Sequence, residues 1–158
     1  MRIYSFTDLQ FEGCTAEFDG GAIYAKNVLN MVLSSATFLN NKALRDGGAI
    51  DYVCEPSPTE RDLKKDNVCS LEMDKIQFDA NSAEIGGAIR WNLVEMEISG
   101  KPSFVEEEDG SVKYGSLRFK NNKAEEYGPE IASVARELIK FGSEETYLKY
   151  YSGTKEER

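Results

Sequence analysis

Carboxylates and guanidiniums are the groups in this chain most able to do chemistry, because among its 158 residues there is no histidine. That removes the commonest general base and the commonest zinc ligand. Asp51 and Arg90 each follow an isoleucine of the same short motif, which sets them at one outward strand position on adjacent repeats. They are the best catalytic pair on offer, and the plainer role is a surface ion pair between rungs, worth ~0–1 kcal/mol. Glu106, Glu107, Glu108 and Asp109 could hold a divalent cation through oxygens; a solvated acidic turn explains them as well. Asp19 and Asp46 precede Gly-Gly pairs and read as turn residues rather than as an acid–base couple. Trp91 shares the face of Ile89 if side chains alternate, which suits a core position better than a sugar platform. No catalytic, cofactor-binding or metal-binding residue is assigned, and no cofactor is expected.

Composition narrows the partners. The net charge of −9 repels phosphate backbones and anionic lipid, so neither nucleic acid nor membrane insertion is expected. No apolar run approaches the ~20 residues of a membrane-spanning helix. The opening MRIYSFTDLQF has no apolar core of a signal peptide and begins directly on a strand pattern, as an excised fragment would. Three cysteines do not make a disulfide scaffold. Cys54 and Cys69 nevertheless bracket a polar segment around EPSPTERDLKKDN, and a disulfide between them is expected, with Cys14 reduced and buried.

The elements that must position these residues come from internal repetition. Gly-Gly-Ala-Ile occurs at Gly20 to Ile23, Gly47 to Ile50 and Gly86 to Ile89, and a decayed copy runs from Gly128 to Ile131. Each follows a Phe-x-x-Asn-x-Ala element: Phe38/Asn41/Ala43, Phe78/Asn81/Ala83 and Phe119/Asn122/Ala124, with Phe11/Cys14/Ala16 carrying cysteine in the Asn place. Seven, five and two residues before each Phe lie Tyr4/Phe6/Leu9, Met31/Leu33/Ala36, Leu71/Met73/Ile76 and Val112/Tyr114/Leu117, all apolar. Spacing by two on either side of turn-forming pairs (Thr7-Asp8, Ser34-Ser35, Asp74-Lys75, Gly115-Ser116) is strand periodicity.

A unit this short cannot bury its apolar face alone, so copies must stack, with equivalent residues ~4.8 Å apart. The pattern predicts a right-handed parallel β-helix of about four coils with two outward insertions leaving the same corner. The second insertion, GKPSFVEEEDGSVKYG, is a candidate hairpin turning at Asp109-Gly110. Each coil has three strands: one ending in a turn, one carrying Phe to Asn, and one opened by Gly-Gly. Three structural ladders follow: Phe11, Phe38, Phe78 and Phe119; Asn41, Asn81 and Asn122; and Ile23, Ile50, Ile89 and Ile131. Residues 1–135 form the repeats, and 136–158 a C-terminal cap or linker, with Leu138, Ile139 and Phe141 placed to cover the last coil.

FLNNKALRDGGAI and FDANSAEIGGAI resemble the paired FxxN and GGA[I/L/V] repeats of polymorphic outer-membrane proteins, known from chlamydial adhesins and autotransporters and from very large protist surface proteins. The ending FKNNKAEEYGPEIAS is closer to the protist group. The resemblance covers roughly residues 3–135. It implies a pectin-lyase-like β-helix, an extracellular or cell-surface setting, and structural, adhesive or filament-forming use. Enzymes of that fold place acids and arginines on such strand faces, so a carbohydrate-active lyase or hydrolase is the alternative. Few cysteines and no N-glycosylation sequon also fit a non-catalytic subunit of an intracellular assembly. The expected partners are other protein chains, homotypic or within a parent assembly, meeting the ends of the β-helix, where open strand edges invite pairing. The first coil, with Tyr4, Phe6, Leu9 and Phe11, is expected to need such cover.

Overall fold

The computed structural model describes residues 3–54, 69–92, 95–99 and 104–134, so the segment inside the disulfide bracket and the expected cap at 136–158 lie outside the described residues. The described chain is all-β, with no helix among the described residues. The first repeat supplies β1 (Tyr4–Thr7), β2 (Gln10–Glu12), β3 (Thr15–Ala16) and β4 (Ile23–Lys26). The second supplies β5 (Asn30–Ser34), β6 (Thr37–Leu39), β7 (Lys42–Ala43) and β8 (Ile50–Val53). The third supplies β9 (Ser70–Asp74), β10 (Gln77–Asp79), β11 (Ser82–Ile85) and β12 (Ile89–Asn92). Then come β13 (Glu95–Ile98), a hairpin of β14 (Phe104–Glu106) and β15 (Val112–Tyr114), and finally β16 (Leu117–Lys120), β17 (Lys123–Tyr127) and β18 (Ile131–Val134).

Each sheet takes one strand from each repeat. Sheet A runs β1-β5-β9-β13, sheet B ends β16-β10-β6-β2, sheet C runs β17-β11-β7-β3 and sheet D runs β18-β12-β8-β4, all of these pairs parallel. Phe11, Phe38, Phe78 and Phe119 are Cα partners in sheet B, as are Ile23, Ile50, Ile89 and Ile131 in sheet D. The rings stack nearly parallel with centroids 5.0, 5.1 and 5.2 Å apart, an arrangement set by strand spacing rather than by ring preference. Around them Leu33, Leu71, Met73, Ile76 and Leu117 are fully buried. The short sheet C was not anticipated from sequence; two-residue strands such as β3 and β7 are too brief to show a period.

Three corners per repeat are made by left-handed residues. Asp8, Ser35 and Lys75 turn sheet A into sheet B, while Gly115 sits in the turn that joins β15 to β16 within sheet B; Gly13, Asn40, Ala80 and Asn121 turn B into C; Gly20, Gly47, Gly86 and Gly128 precede sheet D. The two glycines of each pair do different jobs. Gly47 has φ +62°, whereas a Cβ on Gly48 would stand 2.0 Å from the Gly87 carbonyl oxygen of the next repeat. The first glycine makes the turn and the second lets two backbones touch.

Two features depart from expectation. Val112 and Tyr114 are not the fourth members of the sheet A columns: β13 holds that place, with Met96 opposite Leu71 and Ile98 opposite Met73. β15 instead pairs antiparallel with the free edge of β16, Val112 facing Phe119 and Tyr114 facing Leu117. A pattern of alternating apolar residues before Phe119 suits either strand, and only pairing separates them. The second insertion is therefore not outward. It extends sheet B along the stacking axis and covers the end of the Phe column, with Phe104 and Tyr114 rings 4.5 Å apart. It leaves between sheets A and B, whereas the first insertion leaves between sheets D and A, so the two do not share a corner.

Urea unfolding should separate the two glycine roles. Gly13→Ala, where the new Cβ meets nothing within 4 Å but φ is +65°, is expected to cost about 1–2 kcal/mol. Gly48→Ala forces two repeats apart and is expected to cost more than about 4 kcal/mol or to prevent folding.

Candidate functional site

The asparagine ladder is a directional hydrogen-bond chain. Asn41 Oδ1 accepts the Cys14 N–H at 3.0 Å, Asn81 Oδ1 accepts the Asn41 N–H at 3.0 Å, and Asn122 Oδ1 accepts the Asn81 N–H at 3.0 Å. Each Nδ2 donates backwards to the carbonyl of the preceding Phe: Asn41 to Phe11, Asn81 to Phe38 and Asn122 to Phe78, at 3.1, 3.0 and 3.0 Å. The side chains also link to one another, Asn41 Nδ2 to Asn81 Oδ1 at 2.9 Å and Asn81 Nδ2 to Asn122 Oδ1 at 3.0 Å. All three are buried, and their amides satisfy backbone groups that the corner removes from the sheets. Cys14 ends the ladder, and it is half-buried rather than buried because no described strand stacks over the first repeat.

Cys54 and Cys69 are joined by a disulfide, Cα atoms 5.9 Å apart, where β8 ends and β9 begins. Both cysteines are buried against the core. Above them Tyr52, fully buried, donates its hydroxyl to the carbonyls of Val28 and Ser70, and burial pushes its pKa up to about 12. Trp91 is half-buried against the core.

Asp51 and Arg90 are Cα partners on the outer face of sheet D, Arg90 Nη1 lying 3.0 Å from Asp51 Oδ1. The pair is not a surface ion pair: the Asp51 side chain is 1% exposed and that of Arg90 20%. The turns before β4 and β8 bring further charge, so that Arg90 also lies 3.7 Å from Asp46, and Arg45 lies 3.9 Å from Asp46 and grips Asp19 through two bonds at 2.8 and 2.5 Å. Asp19 and Asp46 thus do more than turn the chain. Sequence spacing revealed the Asp51–Arg90 register but not this convergence, because Asp19 and Arg45 meet only when the turns stack. Burial, against the pull of Arg90, raises Asp51 to about 6 and raises Asp46 as well.

The acidic run is engaged with basic neighbours. Glu107 pairs with Lys113 at 2.6 Å, while Asp109 accepts Ser111 Oγ at 2.6 Å, Arg118 at 2.6 Å and Lys120 at 3.1 Å. Ser111 and these cations hold Asp109 well below the usual carboxylate range. Among the described residues, no group of three or more His, Cys, Asp or Glu side chains is arranged to hold a metal ion. At the opposite end of the stack, Tyr4, Phe6, Leu9, Phe11, Ile23, Ala25, Val28 and Met31 line an open apolar recess of about 700 Å³, its rim formed by Tyr24 and Lys26. Tyr4 and Phe6 are 47% and 40% exposed.

Parallel sheets built in register from one strand per repeat define an all-β repeat protein. Residues 35–51, the stretch from Ser35 through Phe38, Asn41 and Gly47-Gly48 to Asp51, match the family model of the Chlamydia polymorphic membrane protein repeat. That repeat belongs to a family of membrane proteins by its description. No curated protein and no solved structure matches the chain.

Two stability measurements follow from this geometry. Asn81→Ala removes the side-chain acceptor of the buried Asn41 N–H and the donor to the Phe38 carbonyl and is expected to cost about 2–3 kcal/mol, read from chemical denaturation. Reducing the disulfide, which closes a separation of 15 residues, is expected to lower stability by about 3 kcal/mol, read as a drop in Tm with mass-spectrometric confirmation that only Cys54 and Cys69 change.

Proposed function

We propose that this chain is a non-catalytic structural or adhesive segment of a larger cell-surface or filament-forming protein, built as a right-handed, pectin-lyase-like parallel β-helix of about four coils. Parallel crossovers between strands of one sheet are right-handed in nearly all known cases, which supports that hand. Its role is protein–protein contact through an end of the stack. The observation that carries this is the apolar recess at the first repeat, a surface of Tyr4, Phe6, Leu9 and Phe11 whose strand edges have no partner among the described residues. The contact is assigned to that end because β15 pairs with the last edge of sheet B at the other. The Cys54–Cys69 disulfide and the matched membrane-protein repeat support an oxidising, surface location over an intracellular assembly.

A carbohydrate lyase or hydrolase finds less support. Its acid would have to reach a polymer, and Asp51 is 1% exposed beneath Arg90. Glu107 and Asp109 are engaged by Lys113, Arg118 and Lys120, which suits a folded hairpin better than a reactive groove.

Sedimentation of the purified 158-residue chain tests the contact. Concentration-dependent association is expected for the unaltered protein, and a Phe6→Lys/Tyr24→Lys double variant, changed only at exposed positions, should sediment as a monomer with an unchanged Tm. An unaltered chain that stays monomeric at every concentration, or a double variant that associates equally, would overturn it.

A further inference from the structure

The outer face of sheet D carries more negative charge than it can pair. Asp19, Asp46 and Asp51 face two guanidiniums, Arg45 and Arg90, in an alternating chain: Asp19 with Arg45, Arg45 with Asp46, Asp46 with Arg90, Arg90 with Asp51. Three carboxylates against two cations leave one charge over. The ends of the chain are not equivalent. Asp19 has both carboxylate oxygens held by Arg45. Asp51 has one, since Oδ1 accepts Arg90 Nη1 while Oδ2 is buried with no hydrogen-bond partner. A buried charged oxygen without a partner is among the costliest arrangements a fold retains. On its other side Asp51 is in register with Tyr24, which offers no cation.

We propose that this cluster is a proton-operated clasp: as the medium passes from neutral to mildly acidic, Asp51 takes up one proton, the five charged groups reach balance, and the first three repeats are held together more firmly. Arg90, released from a charged Asp51, keeps Asp46 as its ion partner, so the alternating chain shortens by one member and does not break. A metal ion is the less suitable counter-charge, because Asp51 Oδ2 is closed to solvent and the three carboxylates do not converge. A proton is small enough to arrive without opening the sheet.

The direction of the effect follows from linkage. Burial raises Asp51 from its ordinary 3.8 to about 6, with Asp19 and Asp46 pushing the same way and Arg90 opposing. The folded form therefore binds more protons than the unfolded form between those values. The stabilisation is fully present below about 3.8 and is lost as pH rises through about 6. With no histidine in the chain, little else titrates in that window; Asp46 and Glu130, both raised by burial, are the groups to control for.

The test uses the whole chain. Carboxyl-carbon NMR of protein labelled at aspartate should show one resonance with a midpoint near 6, absent in Asp51→Asn and retained in Asp46→Asn and Glu130→Gln. Thermal unfolding of the unaltered protein should move to higher Tm as pH falls from 7.5 to 5, a span on either side of that midpoint, and Asp51→Asn should be flat over it. Should Asp51→Asn fail to fold, Asp19→Asn and Asp46→Asn, each retaining the shifted resonance, leave Asp51 as the carboxylate of the cluster that carries it. The proposal is overturned if every aspartate titrates near 3.8, if the shifted resonance vanishes in Asp46→Asn but survives in Asp51→Asn, or if Tm falls between pH 7.5 and 5.

Discussion

Backbone contact between consecutive repeats at the second glycine of each pair is the constraint on which the rest of the structure depends. Gly21 faces the Gly48 carbonyl, Gly48 the Gly87 carbonyl, and Gly87 the Pro129 carbonyl, each too close for a Cβ. That approach sets the rise from one repeat to the next, and the rise in turn sets the other columns. Rings of Phe11, Phe38, Phe78 and Phe119 repeat at about 5 Å because the strands do. Asn amides reach both the carbonyl behind and the amide ahead for the same reason. A single extra methyl group at the glycine would spoil alignments in three sheets at once, so the aromatic and amide ladders are consequences of that spacing as much as causes of the fold.

The stack is polar, and its two ends differ. Every close glycine looks toward the next repeat, and in the last one the corresponding place is taken by Pro129, which carries the Cβ that the glycines lack. β15 covers the adjoining edge of sheet B. At the other end the Asn ladder stops at Cys14, whose thiol is a weak donor and acceptor, directed at the Glu12 carbonyl of its own repeat at 3.9 Å, and cannot bridge two repeats as an amide does. A preceding coil of the same type would lose those bonds at that corner. The recess beside it is apolar, lined by Tyr4, Phe6, Leu9 and Phe11.

Charge is organised by the same stacking. The turns before sheet D place Asp19 and Asp46 in consecutive repeats, and the strand register places Asp51 under Arg90. Like charges so near each other are tolerated only because Arg45 and Arg90 come between them, and an alternating chain of this kind is sensitive to one proton in a way that isolated surface pairs are not. On the hairpin, direct bonds act the other way: Lys113 holds Glu107, and Ser111 with Lys120 and Arg118 holds Asp109, below the usual carboxylate range.

Much was legible in the residues alone. Doubled Phe-x-x-Asn and Gly-Gly-Ala-Ile motifs at a nearly constant separation specify parallel stacking, because only superposed copies put every apolar residue inside; the Phe, Ile and Asn columns and the Asp51–Arg90 register all follow. Sequence could not distinguish β13 from β15 as the fourth strand of sheet A. Both precede Phe119 with alternating apolar residues, and the difference lies in whether the chain pairs parallel to β9 or folds back on β16. Nor could it show that Asp51 is buried, since alternation assigns a residue to an outer face without saying what the neighbouring turn lays over it. Periodicity reports which side of a strand a residue occupies; depth, and the alternating chain that runs from Asp19 through Arg45, Asp46 and Arg90 to Asp51, are decided by how separate turns come to rest on one another.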